Sequence, residues 1–193
     1  VNALLEGHVG RGARLGLDKV QNEQGKIFHL AHEHVTQASD STFRIHSMTV
    51  QGHWVRNELN VAQKGRGAHT VMHGVYLPKD QEHVDNHTTM DHTVPNCTSS
   101  ELYKGILYDR STGVFNGKVF VRQEAQQTNA YQQNANIVAD QGASINAKPE
   151  LEIYADDVKC SHGCTVGQFD DEALFYLKSR GIGERAARAL MVQ

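Results

Sequence analysis

The chain has 193 residues, of which 21% are charged, with 19 Lys and Arg set against 22 Asp and Glu for a formal net charge of −3. That length suffices for one domain with a sizeable core, or for a domain plus a short appendage, and the charge balance lacks both the basic excess that recommends nucleic acid and the polybasic run that recommends a membrane surface. No run approaches the ~20 apolar residues of a transmembrane helix, and the opening VNALLEGHVGRG has neither the n-region nor the h-region of a signal peptide, so a cytoplasmic chain is expected.

Taken in chain order, the first signal is a repeat. Gly12-Ala13-Arg14, Gly67-Ala68-His69 and Gly142-Ala143-Ser144 share a small-residue pair followed by a polar residue, with Glu124-Ala125-Gln126 as a degenerate copy. Their alanines fit multiples of a period of roughly 18 to 19 residues, close to the range in which solenoids are suspected. Short strands separated by polar corners fill the intervals, at 71–77, 119–121, 137–139 and 151–155. With three prolines and no helical pattern before about residue 170, an all-β solenoid is the economical reading; a hairpin-rich sandwich would want more turns like Asn116-Gly117. The expected division is a β-helix core over 1–167 and a helical segment over 168–193.

Twelve histidines are present, seven of them between residues 29 and 73 without strict ligand spacing, which suits exposed or hydrogen-bonded positions in polar corners better than a metal centre. His83, Asp85 and His87 would share one face of a strand, as a polar ladder or as metal ligands. The three cysteines, Cys97, Cys160 and Cys164, are too few for a disulfide scaffold and read as free thiols or ligands.

The last quarter is the most informative. Leu151, Ile153 and Ala155 alternate with Glu152, Tyr154 and Asp156, a strand with one buried face, and the chain then runs into Cys160, Ser161, His162, Gly163 and Cys164. If it stays extended, Cys160, His162 and Cys164 share a face. Two thiols and an imidazole suit iron, zinc or a nascent cluster, but a tetrahedral site wants four ligands, so Cys97 or a second chain would have to complete it. Equally, both cysteines could be small buried hydrophobes. Beyond them, Asp170 is a candidate N-cap, Asp171 and Glu172 favour a first turn, and Gly181 closes a helix over about 171–180. Leu174, Phe175, Tyr176 and Leu177 give it an apolar surface, and a second helix follows over roughly 184–192. That surface needs either the open end of the β-helix or a partner protein to cover it.

The segment KPELEIYADD followed by KCSHG resembles the C-terminal signature of the SufB/SufD family of iron–sulfur cluster assembly proteins, on its SufD side. VRNELNV at 55–61, HVDNHTTMDHTVPNCTSSELYKGILYD at 83–109, GVFNGKVFVR at 113–122 and ALFYLKSRGI at 173–182 are similar to further blocks in the family's order, whereas residues 1–50 fit loosely. The resemblance implies a right-handed parallel β-helix. It also implies a fragment lacking the family's helical N-terminal domain, in keeping with a start on Val1 in what reads as mid-fold. Cys160 and His162 match positions implicated in cluster building at the interface with a SufB-like subunit, so transient iron or a cluster shared with that partner is the implied cargo. Leu174, Phe175, Leu177, Arg180, Gly181 and Ile182 would form the surface for a SufC-like ATPase, and a two-fold homodimer is expected when the SufB-like partner is absent.

Three functions compete on these residues. A non-catalytic assembly scaffold accounts for every matched block, and since no G-x-x-x-x-G-K-[ST] occurs, ATP hydrolysis would belong to a partner. A β-helix metalloenzyme of the carbonic anhydrase type would need hexapeptide repeats, with which a period near 18 is compatible. A carbohydrate-acting β-helix would need paired carboxylates and aromatic surface, and aromatics make up only 7%. The scaffold is the reading adopted.

Overall fold

The computed structural model describes residues 1–192, so Gln193, the last residue of the expected helical segment, lies outside the described part. Its strands are β1 (Asn2–Val9), β2 (Arg14–Asn22), β3 (Phe28–Gln37), β4 (Thr42–Gln51), β5 (Trp54–Gln63), β6 (His69–Tyr76), β7 (His83–His92), β8 (Thr98–Leu107), β9 (Thr112–Val121), β10 (Thr128–Val138), β11 (Ser144–Ile153) and β12 (Val158–Gln168), followed by helices α1 (Asp171–Ser179) and α2 (Glu184–Met191). Odd strands form one six-stranded sheet in the order β1-β3-β5-β7-β9-β11, and even strands form another, β12-β10-β8-β6-β4-β2. All ten pairings are parallel. The chain is therefore a parallel β-solenoid of six turns, two strands to a turn.

Strict alternation builds the interior. In β9 every second residue from Gly113 to Val121 is buried and the others are half-exposed. Val35, Phe43, Ile45, Val55, Met72, Tyr76, Met90 and Phe115 fill the space between the sheets, each fully buried large side chain contributing about 1.5–3 kcal/mol. Tyrosines and glycines interlock across neighbouring turns. A Cβ on Gly74 would lie 2.2 Å from the Tyr103 ring and one on Gly105 2.4 Å from the Tyr76 ring.

The expected period of 18 to 19 residues is overturned. Register partners lie between 26 residues apart, as in Leu30 and Arg56, and 32 apart, as in Thr112 and Ser144. The repeat is a corner in which a residue in the left-handed region precedes a small residue. Gly12, Asp40, Gly67, Asn96 and Gln127 all have φ between 57° and 73°, and they are followed by Ala13, Ser41, Ala68, Cys97 and Thr128. Backbone bonds stack these corners: Thr42 N donates to Ala13 O, His69 N to Ser41 O, Thr98 N to Ala68 O and Asn129 N to Cys97 O. Gly12-Ala13 and Gly67-Ala68 are thus two turns apart, while Ala143 belongs to the opposite corner. With the 18-residue period goes the one feature compatible with a hexapeptide-repeat enzyme.

The helices form where expected. Asp170 Oδ1 accepts from Glu172 N at 2.9 Å and Ala173 N at 3.2 Å, and Gly181 takes φ 82° at the turn between the helices. They do not close the end of the solenoid. Arg188 Nη1 donates to Ala139 O at 3.1 Å and Asp140 Oδ1 at 3.0 Å, tying α2 to the corner between β10 and β11. β12 is left exposed along nearly its whole length.

Candidate functional site

Cys160, His162 and Cys164 lie on β12, the last strand of its sheet. The chain does stay extended through Gly163, and the register aligns Cys160 with Ala130, His162 with Gln132 and Cys164 with Asn134. Those three β10 residues point into the solenoid, where Ala130, Gln132 and Asn134 are buried. The three candidate ligands therefore continue the inward columns, at an end with no further turn above them among the described residues.

Their backbone has a defined phase as well. At each corner the ladder repeats the donation of Thr98 N to Ala68 O and Asn129 N to Cys97 O. Carried one turn further along the register, Lys159, Ser161 and Gly163 bond back to β10. Cys160, His162 and Cys164 then turn their N–H and C=O groups to the free edge, because these groups alternate sides along a strand. The residues that aim side chains inward are also those with hydrogen bonds to offer. In antiparallel pairing, residues that exchange hydrogen bonds stand directly opposite with side chains on one face. A strand paired to this edge would place its own inward side chains against Cys160, His162 and Cys164.

Cys160 is half-buried and packs on the core cluster, and burial pushes its thiol up, partly offset by the Ala130 backbone. Cys164 is exposed, with Sγ 3.8 Å from Asn134 Oδ1, and burial raises its thiol too. Both carry their protons at neutral pH, so a metal would have to displace them. Cys97 does not join the site. It is the small buried residue of its corner, two strands away and thus about 10 Å from the level of β12, with Sγ 3.4 Å from Gly65 O. Among the described residues no three His, Cys, Asp or Glu side chains are grouped to hold a metal. The expectation that Cys97 could complete the shell from another turn is corrected by this geometry.

The other histidines belong to strand faces rather than corners, apart from His53. Asp85 and His87 form part of a polar ladder that does not include His83: His87 Nε2 lies 2.9 Å from Asp85 Oδ1, Arg56 Nη1 2.8 Å from Asp85 Oδ2, and His32 Nδ1 3.0 Å from Glu58 Oε2. His83 stacks on Trp54 with ring centroids 5.9 Å apart. His92 is fully buried, Nε2 2.9 Å from Ser99 Oγ, and burial drives it down to about 4.

Beneath the β12 ligands lies a polar interior that the sequence did not announce. Glu101, Gln132 and His162 occupy one inward column on β8, β10 and β12. Gln132 Nε2 donates to Glu101 Oε2 at 2.7 Å, and burial pushes the Glu101 carboxyl up to about 7, against the smaller opposite pull of Thr88 and Gln132. Asn134 donates to Tyr103 O at 3.2 Å, and Asn136 to Asn134 Oδ1 at 2.6 Å. The signal was the alternation in TNAYQQNANIV, hidden because its inward residues are Ala, Gln and Asn.

Of the residues expected to meet an ATPase, Leu174 is buried, Leu177 and Ile182 are half-buried, and Phe175, Arg180 and Gly181 are exposed, Phe175 at 74%. Arg180 lies over the Tyr176 ring, 5.2 Å from its centroid. No helix among the described residues is long and apolar enough to cross a membrane.

The family described as SUF system FeS cluster assembly, SufBD core domain, matches residues 1–193. The iron–sulfur cluster assembly protein SufD of Escherichia coli K12 is 36% identical over 185 residues, covering 96% of this chain and 44% of that protein. A SufBD family protein of Synechocystis sp. PCC 6803 is 35% identical over 191 residues, 99% of this chain and 42% of its own length. One from Mycobacterium leprae is 36% identical over 194 residues, 96% of this chain and 49% of its own length. The chain thus spans less than half of each of these relatives. A match along the whole chain, on a parallel solenoid ending in a Cys-Ser-His strand, makes it a member of the SufB/SufD family, corresponding to the C-terminal part of its proteins.

Proposed function

We propose that this chain is the core of a non-catalytic scaffold subunit of the SUF iron–sulfur cluster assembly machinery, acting in the cytoplasm. Its last turn pairs with a SufB-like subunit, and Cys160 and His162 contribute to an iron or cluster site finished by the partner. The observation that carries this reading is the phase of β12: inward ligands and unpaired backbone groups fall on the same residues, so one strand pairing would supply both hydrogen bonds and missing ligands. An incomplete site also suits a scaffold that must release its cargo. When the SufB-like subunit is absent, the same edge pairs with a second copy about a two-fold axis. Phe175, Leu177, Arg180, Gly181 and Ile182 present α1 and the following turn to a SufC-like ATPase, with Leu174 anchoring the helix from inside.

Val166→Pro tests the pairing. By the same phase Val166 N–H points to the free edge, so proline removes a donor from the interface while leaving the β10–β12 ladder intact. The variant should melt like the wild type yet lose co-purification with the SufB-like subunit of the same organism. Retention at the wild-type level would exclude pairing through β12.

A further inference from the structure

Each inward side chain of β12 stands above a β10 residue, and the one beneath His162 is incompletely satisfied. The side chain of Gln132 is held between the sheets: its Nε2 donates to Glu101 at 2.7 Å, and a Cβ on Gly117 of the facing sheet would come within 2.6 Å of it. Its other polar atom, Oε1, is buried and has no hydrogen-bond partner among the described residues, and Gln132 is only 3% exposed. A buried amide oxygen without a donor calls for an explanation, since leaving one unpaired costs about 1–3 kcal/mol. Glu101 below accepts from the amide nitrogen through Oε2, and above pH 7, where its carboxyl is ionised, it has no proton to offer the amide oxygen. Across the interior, Gly117 has no side chain, and Pro149, next to it in register, has no N–H at all. The remaining neighbour in the column is His162, one strand further on.

We propose that Gln132 is a positioning residue for His162: its amide oxygen accepts the imidazole N–H, fixing tautomer and ring orientation so that the other ring nitrogen is presented to the shared site. Metal-bound histidines commonly hold their second nitrogen in this way, usually on a carboxylate or carbonyl oxygen. Here an amide, locked in turn by Glu101, fills that role. The inference rests on the reading of His162 as a ligand, but it concerns the metal-free protein and is tested there.

The test is ¹⁵N NMR of the intact protein labelled on histidine, at pH 8 without metal, with the His162 signals identified by their loss in His162→Gln. The wild type should show His162 in a single tautomer, distinct from the mixture at an exposed histidine such as His34. Gln132→Met, which keeps the length but loses the acceptor, should return His162 to that mixture, and Gln132→Glu, which keeps an oxygen acceptor, should restore the single tautomer. A mixture in the wild type, or a tautomer indifferent to Gln132→Met, would overturn the proposal; the wild-type measurement decides even if a variant fails to fold. In the assembled complex Gln132→Met should weaken binding of a Co²⁺ probe about 10–100-fold. Loss of the probe from His162→Ala without a Gln132 effect on the tautomer would refute the positioning alone. A fixed tautomer with unimpaired cluster formation in His162→Ala would refute the ligand role instead.

Discussion

Glu101→Gln should change how stability depends on pH. Glu101 is enclosed between the sheets, and burial raises its carboxyl from an ordinary 4.5 to about 7. The folded state therefore holds a proton that the unfolded chain releases above pH 4.5, so the stability this group confers is fully present below that value and is lost as pH rises through 7. At 1.36 kcal/mol per unit, the loss is about 3 kcal/mol. His92 works in the opposite sense: driven down to about 4 from 6.5, it adds stability above pH 6.5 that is lost as pH falls through 4. In the wild type the two largely offset one another between pH 4.5 and 6.5. Glutamine keeps an oxygen to accept from Gln132 and removes the proton, so the variant should match the wild type near pH 4.5, exceed it by about 3 kcal/mol at pH 8, and expose the rising His92 limb alone. Urea unfolding at pH 4.5, 6 and 8 measures this by linear extrapolation. A constant difference between the two proteins across that range would mean that Glu101 is ionised in the fold and that the column beneath β12 is misread.

Gly105→Ala should lower stability by about 1–3 kcal/mol through overpacking, seen as a reduced melting temperature, because the new Cβ meets the Tyr76 ring at 2.4 Å and Asn136 Oδ1 at 2.6 Å. Unchanged melting would show that the tyrosine has room to move. Replacing Phe175 and Leu177 together by Asp should abolish binding to the proposed SufC-like ATPase in pull-down while the solenoid keeps its β circular dichroism; undiminished binding would place that surface elsewhere.

The solenoid was legible because Leu151, Ile153 and Ala155 alternate cleanly and helical patterns are absent until Asp171. Its period was not. The corner needs only a residue that can take positive φ followed by a small one; Asp40-Ser41 and Asn96-Cys97 supply it without glycine, and Gln127-Thr128 adopts it although glutamine has no preference for that region. Only the glycine–alanine corners were visible as a repeat, and the unrelated Ala143 then gave a false interval. The same corner chemistry explains Cys97, a thiol whose size mattered and whose softness did not. At the candidate site the common face of Cys160, His162 and Cys164 followed from strand periodicity, while the support beneath them did not. Apolar alternation is blind to a core built from Gln132, Asn134 and Asn136, and Glu101 reads as a surface residue until the register encloses it. The helices were placed by capping residues, but nothing local could say that Arg188 would reach Asp140 and leave the end of the solenoid open.

The most direct test is cluster formation on a complex reconstituted from this protein and the proposed SufB-like and SufC-like partners, comparing Cys160→Ala and His162→Ala with Cys164→Ala and His87→Ala after each variant has been confirmed to assemble. Thiolate and neutral imidazole are competent ligands for ferrous iron, and two of them on an open strand end are too few to hold it without a partner. Cys160→Ala and His162→Ala should therefore lose the visible absorbance of the assembled cluster, and His87→Ala, whose imidazole belongs to the Asp85 ladder, should retain it. If Cys160→Ala and His162→Ala both form clusters like the wild type, the Cys-Ser-His strand is a structural edge and the site lies elsewhere.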